Sequence, residues 1–146
     1  MPTISTDPCR PSCRSTSNRT VRLLIDTHIL LWADEQPRRI TQPLRAAMRD
    51  QTNELVVSAA TIWEIAIKRA TGKLRFDRPI VAGVRALGFE ILPITGGHAE
   101  HAGGLPRHHD DPFDRLIIAQ AYLEGMVLGT QDRLMRPYGV ATLGLD

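Results

Sequence analysis

The sequence lacks the features that would mark a secreted or membrane-bound protein. Its 146 residues contain only two cysteines, Cys9 and Cys13. No second pair of ligands follows them at a zinc-binding spacing, so we interpret them as incidental thiols. No apolar run reaches the roughly 18 residues that a membrane helix needs, and residues 1–20 lack the apolar centre of a signal peptide. We therefore expect a cytoplasmic protein without a membrane partner.

An excess of charge is also missing from most of the chain. The formal net charge is +2, and residues 1–20 supply all of it through three arginines and Asp7. The other 126 residues hold 15 basic and 15 acidic side chains. This balance excludes a protein that binds nucleic acid through a broad positive field. Any contact with nucleic acid must therefore be local.

Composition divides the chain at about residue 20. Residues 1–20 are rich in Ser, Thr, Pro and Arg and have almost no apolar side chains, so they cannot bury enough surface to fold. We expect them to be a disordered tail, or the product of a start codon assigned too far upstream. Residues 21–146 are long enough to form one domain with a substantial core.

Apolar runs alternate with amphipathic segments along residues 21–146. Five runs predict strands, at 21–25, 54–58, 89–92, 126–129 and 140–143. Six helices are predicted, at 27–33, 41–50, 61–68, 79–87, 95–102 and 112–124. This alternation predicts a three-layer α/β/α fold with a central, mainly parallel sheet of four to five strands. In such folds, ligands bind beyond the carboxyl ends of the strands.

The stretch from His109 to Arg115 predicts the beginning of the last long helix. Asp111 is a typical N-cap, and Pro112 suits the first helical position. Asp114 stands three residues after the cap, where the acid of a capping box stands. Capping alone could therefore account for both aspartates.

Three further acids lie in or beside strongly apolar segments. Asp26 and Asp132 follow the first and fourth predicted strands, where each could simply cap a helix or turn. Glu64 lies in a helix that is apolar on most sides, and its simpler alternative is a surface position. A parallel sheet can bring these acids and Asp114 to one edge. Two carboxylates about 4 Å apart repel by roughly 4 kcal/mol at an effective dielectric near 20, so such a cluster requires protons or cations.

Oxygen ligands favour Mg²⁺ and Mn²⁺ over zinc. These ions activate water and stabilise the charge that develops on an attacked phosphodiester, which is metal-dependent nuclease chemistry. Other catalytic arrangements are weak, because Ser58 lacks the context of a nucleophile elbow and no Walker-type phosphate loop is present.

Three basic side chains near the acids have open roles. His108 and His109 are interpreted as solvated, or as hydrogen-bonding neighbours of the acids, rather than as zinc ligands. Arg115 could bind a phosphate or stabilise the acids. Its alternative is a surface ion pair of little energetic value.

Four segments together resemble the PIN-domain family. They are Leu23–His28, Trp63–Ile65, His109–Arg115 and Thr130–Asp132. Within that family the chain looks most like the VapC-type toxins of bacterial toxin–antitoxin pairs, over about residues 21–145. The run Asp-Pro-Phe-Asp-Arg is typical of one branch. The tail departs from the family, whose members usually begin with the first strand.

The resemblance implies an endoribonuclease that depends on Mg²⁺, with Mn²⁺ as a substitute. The family's acids, expected to be catalytic and to bind the metal, match Asp26, Glu64, Asp114 and Asp132. Asp111 matches an extra acid of this branch. Thr27 and Thr130 are expected to hydrogen-bond ligands or the substrate phosphate, and Arg115 is a possible accessory residue.

The resemblance also implies partners, namely an RNA substrate, a small antitoxin, and a second copy in a homodimer or a hetero-oligomer with the antitoxin. The leading hypothesis is therefore a toxin that cleaves RNA and inhibits translation. The alternative is a cation-dependent RNA- or protein-binding module with little turnover. A phospho-acceptor receiver domain is disfavoured, because it needs a lysine after its last strand and Lys73 is the last lysine here.

Overall fold

A computed structural model describes residues 20–145 of the protein. The prediction of a disordered tail or misplaced start at residues 1–20 falls, apart from Thr20, outside the described residues and stays a prediction. Both cysteines also lie outside them. Within residues 20–145, no helix is long and apolar enough to cross a membrane.

A five-stranded, fully parallel sheet forms the centre of the protein. Its strands are β1 (Arg22–Ile25), β2 (Glu54–Ser58), β3 (Glu90–Leu92), β4 (Val127–Gly129) and β5 (Thr142–Leu143). They lie in the order β3-β2-β1-β4-β5, and every neighbouring pair is parallel. The chain builds outward from β1 to β3 and then returns to the other side of β1. The strand order therefore reverses between β1 and β4, which is where parallel sheets open a binding crevice.

Six helices cover the two faces of this sheet. They are α1 (Thr27–Glu35), α2 (Gln42–Arg49), α3 (Ala59–Ala70), α4 (Ile80–Ala86), α5 (Gly96–Gly103) and α6 (Pro112–Glu124). The predicted α/β/α architecture is confirmed. Two short 3₁₀ helices, Pro37–Arg39 and Arg133–Tyr138, were not predicted, because they are too short to show a helical period.

The side chains of β1 alternate between two buried cores. Leu23 and Ile25 pack into the core beneath α1 to α4, while Leu24 packs into the core beneath α6. All three are fully buried. A strand that is buried on both faces has a continuous apolar sequence, which explains the run that ends at Asp26. The strand delivers this acid to the sheet edge with little freedom to move.

Candidate active site

The carboxyl ends of β1 and β4 lie side by side and place Asp26 against Thr130. Ile25 pairs with Gly129 in the sheet, and the N–H of Asp26 donates to the carbonyl of Gly129 at 3.0 Å. The hydroxyl of Thr130 donates to Oδ2 of Asp26. The other oxygen, Oδ1, accepts the N–H of Ile29 at 2.9 Å and so caps α1. Asp26 is thus a helix cap and a member of the cluster at once.

Burial is the dominant influence on Asp26, which is only 2% exposed. It raises the pKa of this carboxyl above its ordinary value, while the hydrogen bonds from Thr130 and Ile29 act in the opposite direction. The charge of Asp132 raises the same pKa further. A second acid is therefore close enough to oppose ionisation of Asp26.

Glu64 points inward from α3 and is only 4% exposed. Its Oε1 accepts the hydroxyl of Thr27 at 2.7 Å, and its Oε2 lies 2.8 Å from Nζ of Lys68. The neighbouring Trp63 is 60% exposed, so the helix turns its indole outward and its acid inward. The surface alternative for Glu64 is wrong, because this glutamate faces the first helix after β1.

The N-terminus of α6 is capped by Asp111 alone. Its carboxylate accepts the N–H of Phe113 at 2.9 Å. The capping box considered as the simpler alternative for Asp114 does not form, because the N–H of Asp111 donates to Nδ1 of His109 at 3.2 Å. The carboxylate of Asp114 lies instead 3.0 Å from Nε2 of the same imidazole. Asp114 is therefore free of any capping role.

His109 lies buried between two acids. Its Nε2 is 2.8 Å from Oδ2 of Asp132 and 3.0 Å from Oδ2 of Asp114. Because Nδ1 accepts a backbone N–H, Nε2 is assigned as the ring nitrogen that donates toward the acids. A donating Nε2 has no lone pair to offer a metal, and its single N–H is shared between two carboxylates. His109 is a hydrogen-bonding neighbour of the acids, whereas His108 is exposed and packs against the Tyr138 ring.

Asp132 joins the 3₁₀ helix after β4 to this cluster. Its Oδ1 caps that helix by accepting the N–H of Leu134 at 3.0 Å, and its own N–H donates to the hydroxyl of Thr130 at 3.0 Å. Its remaining oxygen, Oδ2, faces His109. The cap that was the simpler alternative for Asp132 is present, and it coexists with a place in the cluster.

The ionisation of Asp114 reports how closely the acids converge. Its pKa is raised from the ordinary 3.8 to about 7. Burial is the largest cause, and the negative charge of Asp111 adds to it, while His109 acts in the opposite direction. The charges of Asp26 and Glu64 raise the same pKa further. The structure thus brings the sequence-predicted acids into one electrostatic cluster.

The carboxylates of Asp114 and Asp132 fit a hard divalent cation. One oxygen of each lies within 4.8 Å of the other and of a ring nitrogen of His109. The two carboxylates are the oxygen donors that Mg²⁺ and Mn²⁺ prefer. A cation between them would favour the ionised form of Asp114, whose pKa is held high by burial first and by neighbouring acids second.

Arg115 holds the loop that carries His109. Its guanidinium donates to four backbone carbonyls at 2.8–3.1 Å, those of Ala102, Leu105, Pro106 and His109. Tyr138 fixes the same loop, because its hydroxyl accepts the N–H of His109 and donates to the carbonyl of Pro106. Arg115 therefore donates its hydrogen bonds to backbone carbonyls and, within residues 20–145, does not form the surface ion pair considered from the sequence. Its accessory role toward substrate stays a prediction.

Sequence reasoning missed two contacts of the site, only one of which carried a local signal. The position of Lys68 beside Glu64 follows from helical i,i+4 spacing, which is a local signal that was available. The contact of His109 with Asp132 spans 23 residues, and no local pattern encodes it.

Residues 23–139 match the PIN domain family, and the chain belongs to that family. The resemblance expected from the four segments is thereby confirmed. Within the family the chain is homologous to VapC ribonucleases of Mycobacterium tuberculosis. It is 29% identical to Ribonuclease VapC22 over 119 residues, which cover 80% of this chain and 91% of the relative. It is 33% identical to Ribonuclease VapC16 over 111 residues, which cover 72% and 74%.

Solved toxin–antitoxin structures share the fold. VapBC-1 from nontypeable Haemophilus influenzae superposes with a TM-score of 0.59 at 20% identity, over 84% of this chain and 97% of that one. VapBC2 from Rickettsia felis, solved with a DNA fragment from its promoter, gives 0.58 at 15% identity, over 84% and 98%. At these identities the likeness shows the fold alone.

Proposed function

We propose that this protein is the toxin of a toxin–antitoxin pair, an endoribonuclease that hydrolyses RNA phosphodiester bonds and thereby inhibits translation. The observation that carries the proposal is the convergence of Asp26, Glu64 and Asp132 on Asp114 at the edge where the strand order reverses. Both relatives from Mycobacterium tuberculosis are named as ribonucleases, which supports the reaction class.

Mg²⁺ is the proposed cofactor, with Mn²⁺ as a substitute. Asp114 and Asp132 would hold it together with Asp26 and Glu64. When bound, such an ion activates water for attack on phosphorus and stabilises the negative charge on the phosphate. No protein side chain is required as a covalent nucleophile.

The chain's own residues orient these acids. The hydroxyl of Thr130 holds Asp26, the hydroxyl of Thr27 holds Glu64, and His109 holds Asp114 beside Asp132. Such outer contacts fix the direction of each carboxylate before a ligand arrives. We assign Thr27, Thr130, Asp111 and Arg115 this accessory, positioning role.

A small antitoxin protein is the proposed partner, and the cytoplasm the proposed location. The solved relatives named as VapBC complexes, and a toxin–antitoxin complex from Klebsiella pneumoniae with a TM-score of 0.52 at 22% identity, support this partner. A homodimer, or a hetero-oligomer with the antitoxin, is the proposed assembly.

The decisive experiment compares Asp114→Asn with Asp110→Asn. We expect the wild type to cleave unstructured RNA with Mg²⁺ or Mn²⁺ and not in EDTA. Asp114→Asn should lose at least about 100-fold in rate, because even outer-shell changes cost about 10- to 100-fold. Asp110→Asn is the matched control, because this aspartate is exposed and, among residues 20–145, pairs only with the exposed Arg107. It should cleave at the wild-type rate.

Two outcomes would contradict the proposal. Equal cleavage by wild type and Asp114→Asn would indicate a contaminating nuclease or another site. RNA binding without cleavage by any of the proteins, on structured and unstructured substrates alike, would favour the binding module. Circular dichroism on each variant shows whether a lost activity reflects a lost fold.

A further inference from the structure

A cavity of about 350 Å³ opens beside the acid cluster. Its lining includes Asp26 and Asp132 at the acid end, and His28, Trp32, Arg39 and Gln131. The volume lies within the range of small-molecule pockets in proteins. Because the cavity shares two of its walls with the acids, whatever fills it lies directly next to the proposed reaction site.

The wall formed by Trp32 and Arg39 has the chemistry of a stacking platform. The guanidinium of Arg39 lies 4.2 Å from the centre of the Trp32 ring. The His28 ring lies 6.2 Å from the same indole, tilted by 50°. Arg39 is exposed and forms no ion pair with any carboxylate among residues 20–145. A flat π face with an uncommitted cation over it is how proteins bind unpaired nucleobases.

Hydrogen bonds hold the Trp32–Arg39 wall in a fixed position relative to the acids. The side chain of Gln131, which follows β4, accepts the N–H of Thr41 at 2.8 Å and donates to the carbonyl of Arg39 at 3.2 Å. The N–H of Arg39 in turn donates to the carbonyl of Gln36 at 3.0 Å. Both ends of one amide therefore tie the segment that carries Arg39 to the loop that carries Asp132. A pocket built in advance costs less entropy to fill.

The charges of the cavity favour a base over other occupants. Asp26 and Asp132 would repel a negatively charged group that entered the cavity itself, such as the side chain of an acidic peptide. An apolar side chain from a protein partner would offer the Arg39 guanidinium neither a π face nor a hydrogen-bond acceptor. A nucleobase is neutral and flat, and it offers π faces to Trp32 and Arg39.

We propose that this cavity binds one nucleobase of single-stranded RNA by stacking on the Trp32–Arg39 pair, next to the phosphodiester that lies at the acids. This inference rests on the proposed function and adds its base-recognition subsite. Trp32 and Arg39 then determine which position of the RNA is cleaved.

The test measures binding of a short, fluorescein-labelled, single-stranded RNA of mixed sequence in EDTA, so that no cleavage occurs. Loss of one stacked base costs about 1–3 kcal/mol, equal to about 5- to 150-fold in affinity. We expect losses in that range for Arg39→Ala and Trp32→Ala, with most of the affinity retained by Trp32→Phe. Arg38→Ala is the matched control. It removes the same charge from the same exposed 3₁₀ helix, and Arg38 does not line the cavity. It should bind nearly as the wild type does.

A second measurement identifies the base. The same RNA is made with an abasic site at each position in turn. One position should weaken binding to the wild type and should make little difference to Arg39→Ala, because the contact is already gone. Trp32 packs partly against the core, so the exposed Arg39 keeps the test valid if Trp32→Ala fails to fold.

Three results would overturn this inference. Equal losses in Arg38→Ala and Arg39→Ala would mean a diffuse charge effect. Arg39 and Trp32 variants that bind RNA normally but lose a co-expressed antitoxin would make the cavity a protein-docking site. In both cases metal-dependent cleavage by the wild type would leave the proposed function standing. Absence of both RNA binding and cleavage in the wild type would remove the proposed function together with this subsite.

Discussion

Two buried histidines have nearly the same immediate contacts in two different parts of the molecule. His98 is 2% exposed and His109 is 8% exposed. In each ring, Nδ1 accepts a backbone N–H, from Thr95 at 3.0 Å and from Asp111 at 3.2 Å. In each ring, Nε2 lies 2.8 Å from a carboxylate. In both rings Nε2 is therefore assigned as the donor toward the carboxylate.

The difference lies in the number of carboxylates that share the N–H. His98 faces one acid, Glu124, and joins the capped start of α5 to the last turn of α6. His109 faces two acids, Asp114 and Asp132. One N–H donates fully to one carboxylate, so a second carboxylate beside it still needs a positive partner. A contact between one histidine and one carboxylate is thus a structural contact. The additional acid is what makes the His109 region a candidate cation site.

The largest expected difference between the two regions is in pH dependence. The folded pKa of Asp114 is about 7 against an ordinary 3.8, so between these values the folded protein keeps a proton that the unfolded chain releases. The free energy of unfolding in EDTA should therefore fall as pH rises from about 4 to about 7. At its steepest, this one group contributes up to about 1.4 kcal/mol per pH unit. Urea denaturation at a series of pH values measures the slope.

Variants of each region separate the causes of that slope. Asp114→Asn should flatten it, because an amide does not titrate in this range. His98→Ala should keep the wild-type slope, because that residue lies away from the acid cluster. An unchanged slope in Asp114→Asn would contradict the raised pKa and with it the claim of crowded acids.

The next effect is on RNA cleavage by His109→Ala. Without the imidazole, Asp114 and Asp132 lose the group that holds them side by side. Loss of such an outer contact should reduce the cleavage rate about 10- to 100-fold, equal to about 1.4–2.7 kcal/mol. Rates are compared per folded molecule across a Mg²⁺ titration, because a positioning role predicts a weaker apparent affinity for Mg²⁺ as well. Wild-type rate and Mg²⁺ dependence in this variant would make the two histidines equivalent.

The smallest expected effect is that of His98→Ala, which should lower stability without changing cleavage. This change removes the bond from the Thr95 N–H to the imidazole, which is one half of the capping box of α5, and the contact with Glu124. The free energy of unfolding should fall by about 1–2 kcal/mol, while the cleavage rate per folded molecule stays at the wild-type value. Thermal unfolding and the same cleavage assay measure both. A cleavage defect as large as that of His109→Ala would contradict the claim that His98 has a structural role and His109 a role in the active site.

Much of the fold was predictable, because strands and helices are encoded by short periods of apolar residues. β1 and β2 match the predicted runs within one residue at each end. The acids that follow parallel strands were predictable for the same reason, since such strands end at a common edge. The fifth strand has only two residues, and its short paired segment could not be delimited from the apolar run at 140–143.

The capping alternative for Asp114 at α6 shows where a local pattern can mislead. Spacing alone placed Asp114 where a capping acid stands. In the structure His109 already accepts the N–H of Asp111, so Asp114 has no cap to serve and turns toward the imidazole. The loop that presents His109 is held by Arg115 through backbone carbonyls, a set of contacts that leaves no trace in residue spacing.

By itself, the sequence determined the alternating α/β/α fold, the delivery of acids to one sheet edge and the absence of a broad positive field, because periodicity, strand ends and charge are local or additive properties. Only the tertiary structure decided which two acids face the same imidazole N–H and how far the pKa of Asp114 rises. It also decided that Trp32 and Arg39 face the same cavity as Asp26. The physical reason is that such contacts join residues far apart in the chain, as Thr130 and Asp26 are. Their energies depend on burial and angstrom-scale distances that packing sets.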